Sequence, residues 1–153
     1  GWVPGTDYGV MQAVLSDVAA HYDIDASRIH GWGFSAGGHV LHDLALRQRE
    51  GAPDIHDLAA YAVSAGALQG YACTSSVDCA ALLTQAARRI PVDLRVGGSD
   101  PLLPYLQADH ARFQAAGWGA DAALSVFPAG HVIVPSQLQP TWDFLCRFQR
   151  LPD

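Results

Sequence analysis

The stretch that decides the fold reads IHGWGFSAGG and runs from Ile29 to Gly38. It contains the pattern Gly-x-Ser-x-Gly, with Gly33, Ser35 and Gly37 at the fixed positions. Residues before the serine favour a strand and residues after it favour a helix, so the serine falls at a strand-to-helix turn. On such a turn the hydroxyl projects beyond the strand end, and small residues on either side let the backbone turn sharply. The stretch therefore predicts a serine nucleophile.

The rest of the chain alternates strands with helices. Predicted helices span Thr6–His21, the segment after Ser35 to about Arg49, Val77–Arg89, Tyr105–Ala116 and Ser136–Phe148. Predicted strands span Arg28–Gly33, Ala59–Ser64, Val92–Val96 and Ala123–Phe127. Alternation of this kind indicates βα units, which form a parallel sheet with helices on both faces. We expect a single α/β domain over residues 1–153, with about four parallel strands.

Two later loops carry the side chains that a serine nucleophile needs. A base must take the hydroxyl proton, and an acid must orient that base. Asp100 follows the strand Val92–Val96, and His131 follows the strand Ala123–Phe127. Both therefore fall at carboxyl ends of strands, the edge where open α/β sheets place their sites. Asp93 is a rival acid, but it lies inside its strand, so the pattern favours Asp100 over Asp93 and over a plain turn residue.

These residues predict a two-step acyl transfer. His131 would take the proton of Ser35 as the hydroxyl oxygen attacks a carbonyl, and the backbone N–H of Ala36 would stabilise the oxyanion. Phe34 and Tyr105 flank these positions and are candidate substrate-binding residues, although core packing is the more common role of such aromatics. The predicted chemistry requires neither a metal ion nor an organic cofactor.

Composition excludes several classes of protein. Apolar residues make up 50% and charged residues 16% of the chain, which is typical of a globular domain. The net charge is −6 and the nine basic residues are scattered, which argues against nucleic-acid binding. The longest apolar stretch, Leu58–Cys73, is interrupted by Ser64 and two glycines and predicts a strand and loop rather than a membrane span. Because the first residue is Gly1, we expect a processed chain or a piece of a longer one.

Three cysteines leave one pairing open. Cys73 and Cys79 bracket a turn-rich segment that a short disulfide could close, and two reduced loop cysteines are an equal alternative. A disulfide would favour an oxidising compartment. Cys146 lies in an apolar helical pattern and is expected to be a buried thiol.

Several histidines could be read as metal ligands. His39 and His42, with Asp43 beside them, lie one turn apart on a predicted helix, but no third ligand has suitable spacing. We therefore expect a solvated helix face and no metal. His30 is expected to be a hydrogen-bonded core residue. The remaining loop and helix-end histidines, expected to be solvated, are His21, His56 and His110.

These motifs resemble the α/β-hydrolase superfamily and, within it, the polyhydroxybutyrate depolymerase and feruloyl esterase group of secreted esterases. The resembling stretches are His21–Asp25, Gly31–Gly38, Gly97–Tyr105, Gly130-His131 and Thr141–Phe144. The resemblance implies an esterase acting on carboxylic esters, either polymeric or hydroxycinnamate esters, in a secreted or periplasmic location. It also implies that Ser35, Asp100 and His131 form the catalytic triad, with Ala36 as an oxyanion donor.

The chain departs from this family at its front. Such enzymes have about eight strands, and only the last four can be placed here, so the chain corresponds to the C-terminal part of the fold. The absent front normally supplies the first oxyanion donor, and nothing between Gly1 and Thr6 replaces it. The strand Arg28–Gly33 would also be an unpaired edge. We therefore expect a homo-oligomer, or a complementing N-terminal segment, to cover it.

Two other functions remain compatible with the sequence. A peptidase or a thioesterase would use the same three side chains, because both cleave acyl groups through an acyl-enzyme. A catalytically weak fragment that serves as a binding or assembly module is the alternative from a different class.

Overall fold

The computed structural model describes residues 1–54 and 57–150, so His56 lies outside the described residues. The helices are α1 (Pro4–His21), α2 (Ala36–Leu46), α3 (Cys79–Thr84), α4 (Leu103–Ala115) and α5 (Leu138–Leu145). The strands are β1 (Ile29–Phe34), β2 (Leu58–Ser64), β3 (Val92–Gly97) and β4 (Ala122–Phe127). Short 3₁₀ turns lie at Ala26–Arg28, Gly119–Asp121 and Pro135–Gln137.

The four strands form one parallel sheet in the order β1-β2-β3-β4. The central strands β2 and β3 are buried apart from Leu58, as expected of strands covered on both faces. Alternate residues of β2 face opposite sides: Tyr61 and Val63 join the main core, whereas Ala60 and Ala62 pack with residues of α5. This arrangement confirms the predicted α/β class, with helices on both faces of a parallel sheet.

Three predicted helices are shorter in the structure. The helix α3 ends at Thr84 instead of Arg89, because the chain must straighten to bury Ile90 ahead of β3. The helix α2 ends at Leu46, and Arg49 folds back to pair with a carboxylate of that helix. Regular α5 begins only at Leu138, since Pro140 lacks the N–H that would bond the carbonyl four residues earlier.

The prediction of a solvated face on α2 is wrong. His42 and Asp43 are fully buried, because α2 is covered by the sheet on one side and by α1 on the other. Asp43 accepts hydrogen bonds from the Tyr8 hydroxyl at 2.8 Å and from the Arg49 guanidinium at 2.8 and 3.0 Å. Burial and this carboxylate both raise the pKa of Tyr8, which stays protonated. Asp43 therefore links α1 to α2.

The structure shows whether Cys73 and Cys79 are paired, and it contradicts the prediction for Cys146. Cys73 and Cys79 form a disulfide that closes the loop between β2 and α3. Cys146 is exposed, whereas a buried thiol was predicted, because α5 turns Thr141, Phe144 and Leu145 toward the sheet instead. None of the helices within residues 1–54 and 57–150 has the length and apolar character needed to cross a membrane.

Candidate active site

Ser35 occupies a strained turn between β1 and α2. Its backbone has φ 51°, a left-handed value that residues with a side chain rarely adopt. Two contacts hold this conformation. The Ser35 N–H donates to the Ser64 carbonyl at the end of β2 at 2.8 Å. Gly33 lies so close to α2 that a Cβ there would meet the Gly37 carbonyl oxygen at 2.4 Å. The turn predicted from Gly-x-Ser-x-Gly thus fits the structure. The close approach of the strand to α2 requires a glycine at position 33.

Three predicted side chains lie in one hydrogen-bonded chain. The Ser35 hydroxyl oxygen lies 2.9 Å from Nε2 of His131, and Nδ1 of His131 lies 2.8 Å from Oδ2 of Asp100. Asp100 is buried, and its Oδ1 accepts the Leu102 N–H at 2.8 Å. A proton on Nδ1 bonds the carboxylate and leaves the Nε2 lone pair directed at the serine hydroxyl. This geometry allows the imidazole to act as a general base.

The loops that carry Asp100 and His131 are joined directly through their backbones. The Gly98 N–H donates to the Phe127 carbonyl at 2.8 Å, and the Ser99 N–H donates to the Ala129 carbonyl at 2.9 Å. A Cβ on the neighbouring glycine, Gly97, would lie 2.3 Å from the carbonyl oxygens of Ala129 and Gly130. The two loops are therefore in close contact, which fixes the distance between the acid and the imidazole.

The Ala36 N–H lies in the first turn of α2, where helical N–H groups have no partner four residues back. Further into this turn, the Gly38 and His39 N–H groups donate to the Ser35 carbonyl at 2.9 and 3.1 Å. Ala36 is exposed, and the positive end of the helix dipole favours negative charge at this point. The site can therefore offer a backbone donor to an oxyanion beside Ser35.

The two predicted substrate-binding aromatics differ in position. The Phe34 ring packs against the His131 ring, with centroids 5.0 Å apart. Tyr105 lies in the first turn of α4, half exposed, and among the described residues no hydrogen bond or ring contact ties it to the other predicted site residues. Sequence reasoning missed Val132 and Ile133, which directly follow the histidine and are each 49% exposed. The sequence feature that could have identified them is a pair of adjacent apolar residues in a loop.

The remaining candidate residues lie away from this site. Asp93 is buried against Arg95 and makes no hydrogen bond with His131, so the rival acid is not placed beside the base. Burial lowers the pKa of His42 to about 3, and its Nδ1 lies 3.2 Å from the Tyr61 hydroxyl. Across the described part of the chain, no group of three or more His, Cys, Asp or Glu side chains could hold a metal ion.

The predictions for the other histidines have mixed outcomes. His30 is partly buried with its Nε2 3.2 Å from the Phe148 carbonyl, in line with the expected hydrogen-bonded position. His21 is exposed as expected. His110 is half buried instead of solvated, because its ring reaches the Ala122 carbonyl at 3.2 Å.

Comparison with known proteins identifies the fold. No family model matches this sequence, and no curated protein matches it. Among solved structures, a ferulic acid esterase aligns with a TM-score of 0.68 at 17% identity, over 92% of this chain and 60% of that one. The esterase PE8 aligns with a TM-score of 0.63 at 22% identity, over 94% and 61%. Acyl-protein thioesterase 2 from Zea mays aligns with a TM-score of 0.61 at 17% identity, over 92% and 64%.

These alignments show that the chain has the architecture of part of the α/β-hydrolase fold, with four parallel strands, as the sequence predicted. The chain spans about 60% of the length of the structures that it matches. Identities of 17 to 22% establish a shared architecture and leave the reaction of this chain to be argued from its own residues.

Proposed function

We propose that this protein is a serine hydrolase that cleaves carboxylic esters through an acyl-enzyme. The observation that carries the proposal is the chain of hydrogen bonds from Ser35 through His131 to Asp100. Each member stands at the carboxyl end of a different strand, and the acid is buried with both oxygens bonded. A hydroxyl, an imidazole and a carboxylate in this order activate a serine for attack on a carbonyl.

The reaction would proceed in two steps. His131 takes the Ser35 proton as the serine oxygen bonds to the ester carbonyl carbon, and the Ala36 N–H bonds the resulting oxyanion. The carbon–oxygen bond of the ester then breaks, and the alcohol leaves with the proton held by His131. Water, deprotonated by the same imidazole, attacks the acyl-enzyme, and the released serine oxygen recovers a proton. Neither step requires a metal ion or an organic cofactor.

The surroundings of the site favour an apolar or aromatic acyl group. Phe34 packs on the imidazole, and the exposed pair Val132 and Ile133 adjoins it along the chain. The half-exposed Tyr105 is a further candidate contact on α4. Hydroxycinnamate esters and polyesters present such groups, and likeness in fold to a ferulic acid esterase supports this substrate class. The Cys73–Cys79 disulfide supports a secreted or periplasmic location.

Thioester cleavage is the second candidate reaction. The same three side chains would attack a thioester carbonyl, and likeness in fold to an acyl-protein thioesterase favours testing it. A binding or assembly module without catalysis is the alternative that a covalent probe distinguishes. We also propose that the partners include a polypeptide that covers the open side of β1, either a second copy of the chain or a complementing N-terminal segment.

The test compares the purified chain with Ser35→Ala and with Ser16→Ala, an exposed serine on α1 that serves as a matched control. We expect the native chain and Ser16→Ala to hydrolyse p-nitrophenyl butyrate and to react with a fluorophosphonate probe. Ser35→Ala should lose the labelling and about 10⁴-fold or more of the rate. A butyryl thioester measured in parallel separates the two reactions. Absence of labelling in the native chain would refute the proposal and favour a binding module.

A further inference from the structure

A buried ion pair lies on the face of β3 that α5 covers. Val92, Leu94 and Val96 of this strand join the main core, so the alternate residues point to the opposite face of the sheet. These residues are Asp93 and Arg95, and both side chains are almost completely buried. The Arg95 Nε donates to Oδ2 of Asp93, which leaves the terminal nitrogens of the guanidinium available to a further acceptor.

The same guanidinium reaches the segment that follows His131. Its Nη1 donates to Oε1 of Gln137 at 2.7 Å. Gln137 ends the 3₁₀ turn that leads into α5. The backbone of this residue is also bonded, because its N–H donates to the Val134 carbonyl at 3.0 Å and its carbonyl accepts the Thr141 hydroxyl at 2.7 Å. Gln137 therefore joins β3, α5 and the loop after β4 at one point.

The loop that carries His131 is attached to the sheet side of the molecule near its two ends. At its start, the Ser99 N–H donates to the Ala129 carbonyl at 2.9 Å. At its end, the Arg95 guanidinium holds Gln137. Among the described residues between these two points, the hydrogen bonds that leave the loop are those of the His131 imidazole to Asp100 and Ser35. Without the bond to Gln137, the second half of the loop would lose its attachment to β3.

We propose that Arg95 and Gln137 are positioning residues that hold the His131 imidazole in place for proton transfer. They act through the loop, since neither side chain bonds the imidazole or the Ser35 hydroxyl in the structure. Asp93 supports them by fixing the guanidinium, which gives the acid outside the triad a role in the same site. This inference rests on the ester hydrolysis that we propose for the chain.

The expected effect follows from the short distance that proton transfer needs. Nε2 of His131 lies 2.9 Å from the Ser35 oxygen, and a base must lie within about 2.6–3.2 Å of the group whose proton it takes. A displacement of about 1 Å can cost about 10²-fold in rate. Loss of the loop attachment should therefore lower kcat, while KM changes little because neither residue contacts the acyl group in this mechanism.

The test removes the acceptor at position 137 and keeps the length of the side chain. Gln137→Met should lower kcat for p-nitrophenyl butyrate by about tenfold or more, with KM within about twofold of the native value. Gln137→Asn, whose shorter amide withdraws the acceptor from the guanidinium, should show the same loss. Gln137→Glu keeps an oxygen acceptor for Arg95 and should retain kcat within about threefold.

The matched control is Gln139→Met on α5. The Gln139 amide donates to Asp143 of the same helix at 2.7 Å, so the control removes a glutamine bond that does not involve β3. Thermal melts verify folding of every variant. We expect α5 to stay in place, because Phe144 and Leu145 are buried in a cluster with alanines of β2.

Each result decides the inference. A kcat that falls in Gln137→Met and Gln137→Asn, and is retained in Gln137→Glu and Gln139→Met, supports it. Native-level kcat in folded Gln137→Met and Gln137→Asn overturns it. Equal losses in Gln137→Glu, or a rise of KM in place of a fall of kcat, also overturn it, because the acceptor would then not act through the base. A native chain that neither hydrolyses the ester nor reacts with a fluorophosphonate overturns the esterase activity itself, and this inference with it.

Discussion

Two regions of the molecule differ in how their polar groups are paired: the loops at the carboxyl ends of the strands, and the side of β1 away from β2. At the loops, the Asp100 carboxylate has a partner for each oxygen, and the backbones of two loops bond each other. Along the side of β1 away from β2, no strand of the described residues pairs with the backbone N–H and C=O groups, and Val10 and Val14 of α1 are exposed. Both regions are built on the same strand, because Ser35 directly follows β1.

This difference separates a region whose polar groups are paired within the chain from one whose backbone groups have no strand partner among the described residues. The loop region has polar groups held at fixed distances and glycines packed against backbone, so small changes there should have large effects. The α1 side has open space around its helix, so equivalent changes there should be tolerated. Pairs of matched substitutions test this contrast.

The largest effect is expected from Asp100→Asn. The Leu102 N–H holds an oxygen at the Oδ1 position, so the amide nitrogen of asparagine would have to face His131. The imidazole would then accept at Nδ1 and carry its proton on Nε2, where it could not accept the proton of Ser35. We expect the rate of ester hydrolysis to fall by about 10⁴-fold with little loss of stability.

Steady-state kinetics with p-nitrophenyl butyrate measure this loss, and a thermal melt verifies folding. Asp121→Asn serves as the control, because Asp121 is exposed in a 3₁₀ turn ahead of β4. A rate within tenfold of the native value would show that Asp100 does not orient the base. Such a change corresponds to less than about 1.4 kcal/mol in activation free energy.

The next largest effect is a difference in stability between alanine substitutions at two glycines, Gly97 and Gly9. In Gly97→Ala the new methyl group would lie 2.3 Å from two backbone oxygens of the loop that carries His131, so that loop must shift. We expect a loss of about 3 kcal/mol in the free energy of unfolding, together with a loss of activity. Gly9 lies in α1 with nothing within 4 Å of a new methyl group, so Gly9→Ala should stabilise the chain by about 0.5–1 kcal/mol.

Urea unfolding of both variants measures these changes. Equal destabilisation by the two substitutions would contradict the contrast, because it would mean that the α1 side is packed as closely as the loops. Activity of Gly97→Ala at the native level would show that the loop carrying His131 can move without cost.

Much of this site could be predicted from sequence, because its signals are local. A glycine two places before and two after Ser35 indicates the turn, and the positions of Asp100 and His131 after strands indicate the shared edge. The structure places the three side chains within hydrogen-bonding distance. The fold class was equally accessible, since the alternation of strands and helices is a property of the chain order.

The features that could not be predicted from the sequence depend on which helices and strands pack against each other. His42 and Asp43 look like a solvated pair in sequence. His42 is buried because it packs on Tyr61 and Phe113, and Asp43 is buried because it bonds Tyr8 of α1. Cys146 follows an apolar pattern, yet α5 is rotated so that Phe144 and Leu145 face the sheet. The Ser64 carbonyl that holds the nucleophile turn could not be predicted either, because a backbone acceptor leaves no trace in the side chains.

The smallest expected effect is the loss of folding stability at acidic pH that the buried His42 causes. Burial is the main cause that lowers the pKa of His42 from 6.5 to about 3, and the nearby charge of His39 adds to it. Between these values only the unfolded chain binds the proton. The stability gained from neutral His42 is therefore complete above pH 6.5 and declines as the pH falls toward 3, by about 1.4 kcal/mol per pH unit. At pH 5 the expected loss is about 2 kcal/mol.

Two buried carboxylates act in the opposite direction, so the native curve alone does not isolate this effect. Burial raises the pKa values of Asp93 and Asp109, so the folded chain takes up these protons more readily than the unfolded chain as the pH falls. The test is therefore the difference between the native chain and His42→Gln, whose amide can still bond the Tyr61 hydroxyl. His21→Gln, at an exposed position on α1, is the control. Urea unfolding at pH 7.5 and pH 5 should show that His42→Gln loses less stability than the other two chains. Equal losses in all three would mean that water reaches His42, and that α2 does not pack on Tyr61 and Phe113 as closely as the structure indicates.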